Sequence, residues 1–125
     1  MRAYFLTNMY LSPIQHGIQA AHCLQEINNN FPRNKILKDW AENHKTMYVL
    51  NGGTSEQMRE MFYLFEHKSN NLPWATFYEP SLDNALTCIG IIVPETVYNP
   101  SEEEWKPWSF ETELSQLLKS KRFAR

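Results

Sequence analysis

Met47-Tyr-Val-Leu-Asn-Gly-Gly-Thr-Ser-Glu-Gln57 reads as an apolar strand that runs into a double-glycine turn and then into a capped helix. Thr54 and Gln57 stand at the spacing at which two side chains satisfy each other's helix-end N–H groups. A junction of this kind points backbone N–H groups beyond the strand end, where sites in open α/β sheets lie. Asn51, Gly52 and Gly53 are therefore candidates for contacting an anion or another ligand. A Gly-Gly pair is equally the ordinary chemistry of a tight turn. The loop lacks the lysine and spacing of a P-loop and the three glycines of a dinucleotide fingerprint, so no cofactor is expected.

Upstream, residues 3–7 make a short apolar strand, and Ser12-Pro13-Ile14-Gln15 gives a second capping box with proline at the first helical position. In the helix that follows, Ile14, Ile18, Ala21, Leu24 and Ile27 form an apolar stripe, with Gln15, Gln19, His22 and Glu26 on the other side. The helix is expected to stop in Asn28-Asn-Asn30, and Ile36, Leu37 and Trp40 suggest a shorter helix over about 33–44. Downstream, Met58, Met61, Phe62 and Phe65 repeat at helical spacing to about His67. Segments 74–78 and 86–93 have strand composition. The seven residues between them, 79–85, are too few for a crossover, so these two strands should be antiparallel. Helical connections from strand one to two and from two to three predict parallel pairs.

The expected fold is thus α/β and three-layer: a four-stranded mixed sheet, three strands parallel and the last antiparallel, with helices on both faces. Residues 1–94 read as one domain. Residues 95–125 read as a C-terminal arm, packed on that domain or on a partner. In the arm, Ser101 and Glu104 cap a turn, and Phe110, Leu114, Leu117 and Leu118 form an amphipathic helix whose stripe offers a homodimer surface. The basic end, Lys119-Ser-Lys-Arg-Phe-Ala-Arg125, reads as a solvated tail that complements the helix dipole.

A chain of 125 residues with 42% hydrophobic residues can bury its own core. A net charge of −2 argues against broad electrostatic binding to nucleic acid, although a local patch at the basic end is compatible with it. Aromatic content of 14% suggests that rings also line a surface, with Trp74, Tyr78, Trp105 and Trp108 as candidates for stacking. Two cysteines, Cys23 and Cys88, are too few for a disulfide scaffold and read as buried thiols. No apolar run approaches the roughly 20 residues of a membrane span, no leader pattern is seen, and the cytoplasm is the default compartment. The four histidines lack helical metal spacing, so no metal is expected.

Two segments carry a resemblance. Leu11-Ser-Pro-Ile-Gln-His-Gly-Ile-Gln-Ala-Ala-His-Cys23 is similar to the first helix of the type 2 peptidyl-tRNA hydrolase family, where a Gly-Lys pair precedes an Ala-Ala-Gln-Cys run. Phe77-Tyr-Glu-Pro-Ser-Leu-Asp-Asn-Ala-Leu-Thr-Cys-Ile-Gly90 is similar to the family's passage from an Asp-Ala-Gly turn into a Thr-containing final strand. The likeness covers residues 1 to about 94. It implies a four-stranded mixed sheet with only the last strand antiparallel, hydrolysis of the ester between a peptide and tRNA, and tRNA or another acidic ligand as partner.

Departures from the family pattern bear on function. Ile18 stands where the family has its lysine, about three additional residues surround that loop, Glu79 stands where it has aspartate, and Thr87 matches the strand threonine. Ester hydrolysis needs an activated water, a stabiliser for the oxyanion and a grip on phosphate. Glu79 is the candidate base, Asp83 and Thr87 position the water, and His16 replaces the missing cation. Gln15, Gln19, Asn51, Gly52, Gly53 and Asn84 are the candidate substrate contacts. Because three strands run the same way, His16, Asn51 and Glu79 are expected at one rim. The competing reading is a catalytically silent relative that binds a ligand or partner through the same loops.

Overall fold

The computed structural model describes residues 1–125. The chain runs β1 (Arg2–Asn8), α1 (Pro13–Asn30), α2 (Lys35–Asp39), β2 (Met47–Gly53), α3 (Ser55–Phe65), β3 (Trp74–Glu79), β4 (Ala85–Val93), α4 (Glu95–Tyr98) and α5 (Phe110–Ser120). The 33–44 helix is split: Asn34 caps α2 through its side chain, a π turn continues over Trp40–His44, and Lys45 ends it in the left-handed conformation.

The capping box of the 47–57 stretch forms in full, with Thr54 Oγ1 accepting from Gln57 N at 3.2 Å and Gln57 Oε1 accepting from Thr54 N at 2.9 Å. Thr54→Ala is expected to lower stability by about 1 kcal/mol, read by urea unfolding. A loss indistinguishable from zero would mean that tertiary packing alone holds that helix end. At α1 the expected box is absent. Ser12 makes no side-chain cap, and the Gln15 side chain runs along the helix to accept from Gln19 instead of reaching back.

The four strands form one mixed sheet in the order β2-β1-β4-β3. β1 and β2 are parallel, while β4 is antiparallel to both β1 and β3. The expected parallel pair of β2 with β3 does not exist. β4 inserts between β1 and β3 and leaves β2 and β3 at opposite edges. The reason is burial: Ala85–Val93 is apolar on both faces and belongs in the middle of the sheet, where neighbours cover it on both sides.

Alternate residues of β1 supply two core clusters, as a strand's period of two requires. Tyr4 and Leu6 join Met58, Met61 and Phe65 of α3 and Phe110, Leu114 and Leu118 of α5. Ala3 and Phe5 join Ala20, Cys23 and Ile27 of α1, with Leu37 and Trp40. The arm's apolar stripe is therefore part of the chain's own core, and a homodimer would need another surface. Arg2 tightens this docking, its guanidinium lying 4.0 Å from the Tyr98 ring centroid and 5.2 Å from that of Tyr48.

Two corrections bear on the site. The first half of the apolar stripe expected to bury α1 is turned outward, with Ile14 72% exposed and Ile18 and Ala21 exposed too, whereas Leu24 and Ile27 of that stripe do pack on the core, beside buried His16, Gln19, Ala20 and Cys23. The basic end is not a free tail either. Asn51 N donates to Arg122 O at 2.7 Å and Ala124 N donates to Val49 O at 2.9 Å, so residues 122–124 pair with the open edge of β2. Phe123 stacks on Tyr48 with ring centroids 5.8 Å apart. No helix is long and apolar enough to cross a membrane.

Candidate functional site

Two bulges shape the carboxyl end of the sheet. Phe77 pairs with Cys88 and Tyr78 with Leu86, so Thr87 has no partner on β3. The extra residue turns Thr87 toward α1 together with Cys88, and such bulges commonly re-aim a side chain beside a site. On the other side of β1, Thr7 pairs with Asn51 and Asn8 with Gly53, leaving Gly52 as the extra residue. Gly52 passes so close to β1 that a Cβ there would lie 3.0 Å from Thr7 O and 3.2 Å from Leu6 C, a tight approach to backbone that favours glycine.

The outward-turned stripe of α1 has a counterpart inside. Gln19 is fully buried, and its amide joins residues that lie far apart in sequence. Thr87 Oγ1 donates to Gln19 Oε1 at 2.6 Å, and Gln19 Nε2 donates to Glu79 Oε1 at 3.1 Å and to Gln15 Oε1 at 3.1 Å. Thr87 Oγ1 also lies 3.3 Å from Phe77 O, and Glu79 Oε2 accepts from Ser81 N at 3.5 Å. A buried amide with both ends satisfied is held rigidly, since turning it over would strand two polar partners.

One turn back along α1, His16 Nδ1 lies 2.6 Å from Thr7 Oγ1, and both residues are buried. The only buried side-chain polar atom without a partner is Ser115 Oγ. The other ring nitrogen of His16, which has no protein partner, therefore touches solvent. The Thr7 hydroxyl has one proton and also lies 3.3 Å from Leu50 O: given to Nδ1, it leaves the imidazole proton on Nε2 facing outward as a donor; given to Leu50 O, it leaves Nδ1 protonated and Nε2 an outward acceptor. Gln15 is half-buried and its amide nitrogen is likewise without a protein partner, giving a second donor on the same helix turn.

The structure thus brings together Gln15, Gln19, Glu79 and Thr87, with His16 beside them. It does not bring the remaining candidates to that place. Asp83 and Asn84 are exposed and both occupy the left-handed region, at φ 52° and 57°. They serve the tight turn between β3 and β4, where Asn84 N donates to Glu79 O at 3.0 Å. Asn51, Gly52 and Gly53 lie at the opposite edge from Glu79, about 15 Å across three strand spacings. His16, Asn51 and Glu79 therefore stand at the same end of the sheet but do not converge, Asn51 and Glu79 being at opposite edges. The N–H groups of that junction are also occupied, Asn51 N by Arg122 O and Gly53 N by Asn51 Oδ1 at 2.8 Å.

Thr7 and Asn8 are site residues missed from the sequence. Asn8 Nδ2 donates to Ser55 Oγ at 3.0 Å and its Oδ1 accepts from Tyr10 N at 3.0 Å, which fixes the loop entering α1. Polar residues at the carboxyl end of an otherwise apolar strand were the available signal. His22 stacks on Phe77 at 4.5 Å between centroids. Cys23 and Cys88 are free and fully buried, and burial, with Cys23 beside it, pushes the Cys88 thiol well above its ordinary value. Neither is a nucleophile in this state. No group of three His, Cys, Asp or Glu side chains comes together that could hold a metal ion. A groove of about 550 Å³ follows the outer edge of β3 past Glu26, Asn30 and Phe31 and does not include the Gln19 network.

Fold and site define an α/β protein with a mixed four-stranded sheet and a buried polar line at its carboxyl end. No family model and no curated protein matches the chain.

Proposed function

We propose that this chain is a peptidyl-tRNA hydrolase-like protein that cleaves an ester in peptidyl-tRNA or a related substrate. One observation carries the reading: Thr87, Gln19 and Glu79, from β4, α1 and β3, form a continuous hydrogen-bonded line at the carboxyl end of the strands. The reading takes the two core clusters as the two sides of a three-layer arrangement, which leaves that end of the sheet open to substrate.

In this mechanism the Glu79 carboxylate accepts a proton from water, and the water oxygen adds to the ester carbonyl. The Gln15 amide is the donor available to the oxyanion, joined by His16 Nε2–H in the tautomer in which Thr7 donates to Nδ1. Collapse of the tetrahedral species breaks the bond to the ribose oxygen, which leaves with the proton that Glu79 returns. Gln19 is a positioning residue: it fixes the orientation of Glu79 relative to Thr87 and touches no substrate.

Purified protein incubated with a peptidyl-tRNA is expected to release free tRNA, and Glu79→Gln is expected to lower the rate about a hundredfold. Release that is unchanged in Glu79→Gln would remove Glu79 from the chemistry. A specific observation favours a second reading, a silent relative that binds through the same surface. Ile18 points outward where the resemblance places a lysine, and no Lys or Arg joins the network. On that reading, wild type releases nothing at any pH.

A further inference from the structure

Four of the chain's twelve Lys and Arg residues fall within the last seven positions, Lys119, Lys121, Arg122 and Arg125. A sequence alone leaves such a run as a solvated end. Here the backbone of residues 122–124 is fixed on β2 by two hydrogen bonds, so these cations project from a strand-like segment. Lys38 pairs with Glu42 at 4.0 Å and His44 lies 3.5 Å from Asp39, and neither contact engages these four residues.

Two grooves share Lys121 and Arg122. One is bounded by Leu50, Phe123 and Arg125, and the other by Asn51, Gly53 and Gln57; no Asp or Glu lines either. Glu60 borders a neighbouring groove with Lys121 but forms no ion pair with it, so Arg122 and Arg125 carry the least compensated charge. Phe123 lies among them, 63% exposed and backed by the Tyr48 ring.

Unpaired cations along a fixed segment, with an exposed and supported aromatic face between them, are the elements of a single-strand nucleic-acid platform. The cations follow the phosphates and the ring stacks a base. The overall charge of −2 does not oppose this, because acidic groups more than about 8–10 Å away are screened at physiological salt.

We propose that the edge formed by residues 121–125 beside β2 binds the phosphodiester backbone of a single-stranded nucleic acid, with Phe123 stacking on a base. This goes beyond ester hydrolysis and uses none of its residues. The edge lies at the opposite side of the sheet from Glu79, and binding here does not require the Gln19 network.

Fluorescence anisotropy with a labelled single-stranded RNA of about ten nucleotides, titrated with salt, tests it. Arg122→Gln is expected to weaken binding and to reduce the slope of log affinity against log salt by about 0.7. Phe123→Ala is expected to weaken binding about fivefold or more and leave the slope unchanged. Lys35→Gln, on α2, should change neither, and Glu79→Gln should bind as wild type even though it slows ester cleavage. Arg122 is exposed and contributes only its backbone to the pairing, so its variant should melt as wild type does. Three results would overturn the proposal: no salt-dependent RNA binding, equal losses in Arg122→Gln and Lys35→Gln, or affinity for vesicles of anionic lipid without affinity for RNA.

Discussion

Leu114→Ala is expected to destabilise the whole chain by about 2–5 kcal/mol, the cost of removing a fully buried leucine from a packed core. Leu114 belongs to the same cluster as Leu6 of β1, Met58 of α3 and Ile91 of β4. Against a total stability of about 5–15 kcal/mol, such a loss moves the entire unfolding curve. The measurement is urea unfolding followed both by tryptophan fluorescence and by far-ultraviolet circular dichroism. If residues 95–125 were an appendage, the sheet's transition would stay in place and a separate minor transition would shift. A single transition moved to lower urea by both probes is the expected outcome.

Gly90→Ala is expected to cost about 3 kcal/mol, at the upper end for an overpacked core. Gly90 lies opposite Phe5 on β1 and Ala75 on β3, in the middle of the sheet. A Cβ there would stand 2.8 Å from Phe5 Cδ1 and 2.9 Å from Cys23 Sγ. Neither neighbour can give way freely, since both are fully buried. The cause can be separated from lost strand flexibility by adding Cys23→Ala, which removes the sulfur. The double variant should recover part of the loss, as contacting sites are non-additive. If Cys23→Ala and Gly90→Ala simply add, close approach of α1 to β4 is not what requires glycine.

Much of the fold was legible because the elements carry local signals. The Thr54/Gln57 box, the methionine and phenylalanine repeat of α3, the Ser101/Glu104 turn and the apolar run of β4 all report short-range physics. Strand order was not, because chain direction fixes which way β3 runs but not its neighbour. Only burial on both faces of β4 decides that it inserts.

The site was half legible for a related reason. Glu79, Thr87, Gln15, Gln19 and His16 stood out by residue type, yet the hydrophobic period of α1 assigned the wrong face to the interior over its first half, Ile14 to Ala21, and the right one only at Leu24 and Ile27. Gln19 and His16 are buried because Thr87, Glu79 and Thr7 satisfy them, and no count of apolar positions registers such partners. Asp83 and Asn84 were drawn in by proximity in sequence to Glu79, whereas their left-handed backbone serves the turn. The pairing of residues 122–124 with β2 links positions about seventy apart and has no local mark.

The central place of β4 also constrains how the molecule comes into being. β1 can pair with β2 as soon as both have left the ribosome, but its other side stays open until residues 85–93 arrive. β3 is in the same position, since its only partner is the strand made after it. A nascent chain halted before Ala85 would present unpaired edges on β1, on both sides of β3, and on β2, whose outer partner at residues 122–124 is made later still, the condition under which intermediates associate with one another. Cooperative folding therefore waits for the last strand of the sheet to be synthesised, and translational pauses upstream of it lengthen the interval of greatest risk.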